Sequence, residues 1–186
     1  MINISKNKCI GCGICVSLCP EEVEIIDGQV KLKGEKEKCL KKILNACPQQ
    51  AIKEIDRKLV FALGTDDKKN IKDNDHVGEA KYFQIWNYSK GELVYKEERK
   101  NAKYQEDEEK IYGDPGKAQA VSNILGNVDV VVGKMFGPNI VRMKNRYVCV
   151  AVREGEISKV IKIIKENINE IVEEYEKKDR NGLILN

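Results

Sequence analysis

The chain has 186 residues, 41% hydrophobic and 34% charged, with 33 basic against 30 acidic residues and a net charge of +3. That balance describes a folded protein with a heavily ionised surface, and it excludes a disordered chain and the basic footprint of a nucleic-acid-binding protein. No run approaches the roughly eighteen apolar residues of a membrane-spanning helix, and the opening MINISKNK lacks the apolar core of a secretory signal, so a cytoplasmic protein with no membrane partner is expected.

The length suits one ordinary domain or two small ones. Six of the seven cysteines precede residue 48, and the cysteine-rich segment gives way near KEIDRKLV. Two domains, 1–56 and 57–186, are therefore expected.

In the first segment, Cys9, Cys12, Cys15 and Cys19-Pro20 match C-x2-C-x2-C-x3-C-P throughout. Cysteines in a reducing compartment are metal ligands or redox thiols more often than a disulfide framework. Thiolates at every third residue can wrap an iron–sulfur cluster, whereas a structural zinc site usually pairs two C-x2-C knuckles across a longer spacer. Next, VEIIDGQVKL reads as two short strands about the turn Asp27-Gly28, and GEKEKCLKKILNACP as a helix carrying Leu40, Ile43, Leu44 and Cys47 on one face and ended by Pro48. QAIKEI closes the segment as a strand. In two-cluster ferredoxins the fourth cysteine of such a run serves the other cluster, and a distant Cys-Pro completes the first. Here the distant pair is Cys47-Pro48, and a second full motif would need cysteines where Glu37, Leu40 and Ile43 stand.

These residues resemble bacterial-type ferredoxins, and more closely their single-cluster archaeal relatives, in which a degenerate second site leaves two cysteines free to pair. The resemblance implies an α+β ferredoxin-type domain with one [4Fe–4S] cluster on Cys9, Cys12, Cys15 and Cys47. It also implies that Cys19 and Cys39 are spare thiols or a disulfide.

The second segment opens with the buried-strand run LVFALG. A hairpin follows, KYFQIWNY and ELVYKEE about Ser89-Lys90-Gly91, then a charged loop over 97–112. GKAQAVSNILGN has helical spacing, VDVVVGKMF reads as a buried strand, GPNIVRMKNR as a turn and short helix, and YVCVAV as another buried strand. From Ile157 to Tyr175 the apolar spacing predicts one long helix. This order suggests an α/β layer structure on a partly parallel sheet.

DNDHVGEAKYF, VDVVVGKMFGPN and the strand–helix order between them resemble the dinitrogenase iron–molybdenum cofactor-binding family, which implies an α/β ribonuclease H-like domain. By that resemblance His76, Gly78, Gly137, Pro138 and Asn139 surround a second iron–sulfur or iron–molybdenum-type metallocluster. His76 is the sole histidine, and its ordinary reading is a solvated loop side chain; neutral imidazole is nonetheless a good iron ligand. The two glycines would let backbone approach a bulky inorganic ligand. The stretch Glu106–Glu109 is acidic where many relatives are histidine-rich, and it would repel an anionic cofactor.

Other signals are discounted. Gly116-Lys117 fails the phosphate-loop pattern, with Ile111 and Ala118 at the other required positions, and reads as a turn opening a helix. Cys149 reads as a small buried hydrophobe. No hydrolytic constellation is evident, so a non-enzymatic role is expected: a ferredoxin domain supplying electrons or a cluster to a metallocluster-carrying domain, with a redox or cluster-assembly protein as partner. The alternative is a plain electron carrier whose second domain docks it to a redox enzyme.

Overall fold

The computed structural model of the protein describes residues 2–33, 37–101 and 114–186, so the acidic stretch Glu106–Glu109 lies outside the described residues. Two compact units are distinguished, Met1–Asp56 with Glu166–Glu170, and Arg57–Lys165 with Ile171–Asn186.

The first unit is closed by a strand pair whose first member is not evident from the sequence pattern. β1 (Ile2–Ile4) runs antiparallel to β4 (Ile52–Glu54), with Ile4 opposite Ile52. Between them lie α1 (Ile14–Leu18), the hairpin β2 (Val23–Ile26) and β3 (Gln29–Leu32), and α2 (Glu37–Ile43). The hairpin turns on Asp27 and Gly28, with φ of 53° and 75°, the paired left-handed geometry that matches strand twist. Ile2, Cys19, Val23, Val30, Leu40 and Ile43 form the core.

α2 is shorter than expected. It stops at Ile43, and Ala46 N–H donates to Ile43 O in a tighter turn. Pro48 disfavours helical backbone at the preceding residue, so the helix does not resume through Cys47.

In the second unit the described residues form a six-stranded mixed sheet in the order β10-β9-β8-β5-β6-β7. β5 (Leu59–Thr65) pairs antiparallel with β6 (Tyr82–Ser89), which pairs antiparallel with β7 (Glu92–Lys100). On its other side β5 runs parallel to β8 (Val130–Gly133), β8 to β9 (Val148–Val152), and β9 to β10 (Leu183–Leu185). β8 is buried along its whole length, and its valine run suits a strand covered on both faces. α3 (Pro115–Leu125) and α4 (Ile140–Met143) flank it in the chain, and α5 (Ile157–Glu166) and α6 (Ile168–Glu176) follow β9.

Three expectations change. Residues 97–100 belong to β7 rather than a loop, because Arg99 pairs opposite Phe83 and donates to the carbonyls of Ile124 and Leu125 that end α3. The long helix is two, broken at Asn167, a residue whose side chain competes for backbone groups. β10 adds a further parallel strand, reached through Gly182 at φ 81°, where a side chain would meet Cys149 O at 3.0 Å.

A small packing contact fixes the turn that carries His76. Between β5 and β6 the chain makes a single 3-10 turn, η1 (Val77–Glu79), and Val77 is 3% exposed. Its side chain occupies the space above Gly64 of β5 and Gly133 of β8: a methyl group on either glycine would lie 2.7 Å from it. Val77 N–H donates to Met135 O at 2.8 Å, fixing the turn to the end of β8. Gly133→Ala should therefore cost about 1–3 kcal/mol, the usual scale of overpacking, and Val77→Ala added to it should recover part of that loss. Urea denaturation followed by Trp86 fluorescence, the chain's sole tryptophan, checks this; simple additivity would mean the two positions do not share the space.

Candidate metallocluster sites

Cys9, Cys12, Cys15 and Cys47 line one hollow, walled also by Ile4, Val30 and Ile52. The loop bearing the first three is held against the β2–β3 turn. Gly11, at φ 66°, sits so near it that a Cβ would lie 2.2 Å from Gly28 O, which restricts the position to glycine. Gly13, at φ 79°, then opens α1 and directs Cys15 inward. Val30 N–H points at Cys9 Sγ (3.5 Å) and Ala51 N–H at Cys47 Sγ (3.4 Å), donors that would steady thiolate charge.

Burial pushes the Cys15 thiol above its ordinary value; the backbone N–H groups of Val16 and Cys15 oppose this, and the nearness of Cys9 and Cys12 adds to the rise. Clustered thiolates are costly without positive charge among them, which bound metal supplies. Among the described residues no three His, Cys, Asp or Glu side chains are arranged to hold a single metal ion. The four thiols share one lining, and soft thiolates are the donor set that holds an iron–sulfur cluster.

Cys19, although part of the sequence motif, does not line that hollow. It is fully buried in the core and joined to Cys39 by a disulfide, with Cα atoms 5.7 Å apart. Cys149 lies buried on β9, where burial pushes its thiol up to about 12, an inert environment.

The second unit brings its sequence-selected residues together as well. His76, Gly78, Gly137, Pro138 and Asn139 line one cleft. The extended backbone of His76 leads into η1, so the Val77 anchor positions it. The imidazole is 41% exposed, with Nδ1 3.8 Å from Asp75 Oδ1. A Cβ on Gly137 would fall 2.7 Å from that Nδ1. Gly137 thus makes room for the imidazole, not directly for a ligand as expected. Gly78 does leave open space, its nearest neighbour being Val121 at 3.9 Å from a would-be Cβ. Asn139 is engaged: its Nδ2 donates to Asp114 O at 3.0 Å and its Oδ1 accepts from Arg142 at 3.1 Å, which ties α4 to the start of α3.

Sequence reasoning missed one residue here. Lys117, in the first turn of α3, lines the cleft and is 8% exposed, paired with Glu79 of η1. Burial pulls its ammonium below the ordinary value, and the charge of Asp75 opposes that. The signal was the Gly116-Lys117 pair, whose failure as a phosphate loop left the lysine without a role.

A thiol-lined hollow on a short α+β unit, followed by a mixed α/β unit with a histidine cleft, defines a ferredoxin-type iron–sulfur protein with an added domain. Known families match the two segments separately. Residues 2–23 match the 4Fe-4S binding domain, and residues 57–177 match the dinitrogenase iron-molybdenum cofactor family. The chain belongs to the latter family and carries a ferredoxin segment at its N-terminal end. That segment is 41% identical over 54 residues to a ferredoxin of Thermococcus litoralis, covering 27% of this chain and 92% of the relative. A ferredoxin of Moorella thermoacetica is 31% identical over 62 residues, covering 29% of this chain and 97% of the relative.

The packing of His76 on Gly137 is directly testable, because a sole histidine gives unambiguous imidazole resonances. Gly137→Ala should shift them strongly, while Gly78→Ala, which meets only Val121, should leave them near their wild-type positions. Equal responses would show that the ring does not rest on Gly137.

Proposed function

We propose that the protein is a non-catalytic iron–sulfur protein whose ferredoxin-type domain, residues 1–56, binds one [4Fe–4S] cluster through Cys9, Cys12, Cys15 and Cys47. It supplies electrons or a cluster to residues 57–186, a metallocluster-carrying domain. The supporting observation for the first part is the thiol-lined hollow, which Cys47 completes and from which the Cys19–Cys39 disulfide withdraws Cys19. For the second it is the convergence of the His76 turn and the Gly137–Asn139 turn on one cleft. The order of the sheet, an antiparallel three-strand half joined to a parallel half through β5, supports a ribonuclease H-like reading of the domain.

A [4Fe–4S] cluster, when bound, supplies reversible one-electron transfer. The chain's part is to hold it. Cys15 secures it from α1, the N–H groups of Val30 and Ala51 support the outer thiolates, and the apolar wall limits water, all of which bear on potential. In the second domain His76 offers an imidazole nitrogen as ligand, with open backbone at Gly78. The redox or cluster-assembly partner is a second protein, and the acidic Glu106–Glu109 stretch favours a second reading, in which this domain docks the carrier to a redox enzyme.

Anaerobic reconstitution of the full chain from iron and sulfide should yield about four irons per chain, the cubane stoichiometry. Cys47→Ser should lose most of that iron and the associated visible absorption, and the Cys19→Ser/Cys39→Ser double variant should keep both. Iron near eight per chain that His76→Ala leaves unchanged, or cluster loss only in the double variant, overturns the ligand set. Addition of iron–molybdenum cofactor to the reconstituted protein should give molybdenum binding that His76→Ala weakens at least tenfold. Absence of binding by wild type transfers the weight to the docking reading.

A further inference from the structure

Residues 177–182, which lead from α6 into β10, contain Asn181-Gly182, the sole Asn-Gly pair of the chain. Asparagine is thermolabile, and most so before glycine, whose backbone nitrogen no side chain shields. That nitrogen gives up its proton and bonds to the asparagine Cγ, ammonia leaves, and a cyclic imide remains. Water then opens the imide to aspartate, or to isoaspartate with the backbone routed through the side chain. The fold demands the glycine and leaves the asparagine open. Gly182 stands at φ 81°, and a Cβ there would lie 3.0 Å from Cys149 O, whereas Asn181 is exposed.

Facing the pair is Glu174, 1% exposed. Its Oε1 accepts from the N–H groups of both Asn181 and Gly182, the latter at 2.8 Å, and its Oε2 pairs with Lys177 at 2.7 Å. Holding the loop accounts for an acceptor at this place, and a neutral amide would serve for that. The charge has a further consequence, because the nitrogen that must lose its proton is the one bonded to the carboxylate. An amide anion beside a buried carboxylate oxygen is opposed by like charge away from water. Nor is Glu174 a competent base. Burial pushes its carboxyl up, but Lys177 and the two backbone N–H groups outweigh this and hold it below its ordinary value, far from that of an amide N–H.

We propose that Asn181 is a deamidation site kept latent by Glu174, converted only when the loop leaves the carboxylate, and that isoaspartate there then bars β10 from its place beside β9. The added backbone carbon falls just before Gly182, whose position is fixed against Cys149 O. Isoaspartate also places a carboxylate on the Cα whose N–H Glu174 holds. A transient opening of β10 is thereby made permanent.

The full chain, with its cysteine site filled anaerobically, is incubated warm at mildly alkaline pH, and conversion at residue 181 is read by peptide mapping with mass spectrometry. Folded wild type should convert at least tenfold more slowly than the same chain unfolded in guanidinium. Glu174→Gln, an acceptor of the same shape without the charge, should convert several-fold faster than wild type, and Glu174→Ala about tenfold faster or more, the scale of a hydrogen bond to a charged group. Trp86 fluorescence monitors folding, and if Glu174→Ala proves unfolded, Glu174→Gln decides. A wild-type rate in Glu174→Gln means that the carboxylate only shapes the loop, and a slower rate makes it a base; either overturns the proposal, as does conversion of folded wild type at the unfolded rate. The isolated isoaspartate form should exchange the amide hydrogens of Leu183–Leu185 faster than the unmodified chain, and equal protection overturns the consequence for β10.

Discussion

The seating of Val77 over Gly64 and Gly133 is the contact on which the second site depends. Two glycines on neighbouring parallel strands remove two β-carbons at one place, and a single valine fills the gap at distances that no larger arrangement would tolerate. Because β5 and β8 are among the most buried strands of the sheet, the socket is rigid, and a turn plugged into it inherits that rigidity. His76 precedes the plug by one residue and Glu79 follows it by two. Their positions are therefore set by core packing, although both are partly exposed, which is how a site on a loop attains the precision of one on a strand.

The two sites use different physical means to gather their residues. In the ferredoxin segment the thiols come from a short loop with two left-handed glycines, one of them, Gly11, pressed against a hairpin turn, and with one distant contribution, Cys47, from beyond the end of α2. Apolar burial and N–H groups directed at sulfur create an environment that favours a charged inorganic group over bare thiolates. In the second unit the gathering is long-range. A 3-10 turn, the first turn of α3 and the turn before α4 meet at the ends of parallel strands, the place where α/β sheets generally leave a crevice. The second cleft offers an imidazole and open backbone, a harder lining than four thiolates.

The Cys19–Cys39 disulfide illustrates how one covalent choice divides a motif. Four cysteines close in sequence look equivalent, yet Cys19 follows α1 and is carried into the core beside Val23 and Ile43, away from the hollow that its three neighbours line. The same segment therefore contains both the loop whose three thiols line the hollow and a cross-link to α2 that is buried at Cys19.

Much of this was legible in the amino-acid order, and the boundary between what was and was not has a clear physical form. Cysteine spacing identified the ferredoxin segment, period-two and period-three-to-four apolar patterns located the hairpins, the buried strands and the amphipathic helices, and the resemblance of short motifs to the cofactor-binding family selected His76, Gly78 and Gly137 to Asn139. These are local properties, written into a few consecutive residues. β1 and β10 were not legible, since three-residue strands carry too little pattern and exist only because a partner strand pairs with them. Nor were the glycine socket for Val77, the contact of Gly137 with the imidazole, or the burial of Lys117 beside the cleft. Each of these is a coincidence in space between residues far apart in the chain, and only the tertiary packing decides it, because sequence records what each residue is and not which distant atoms fill the space next to it.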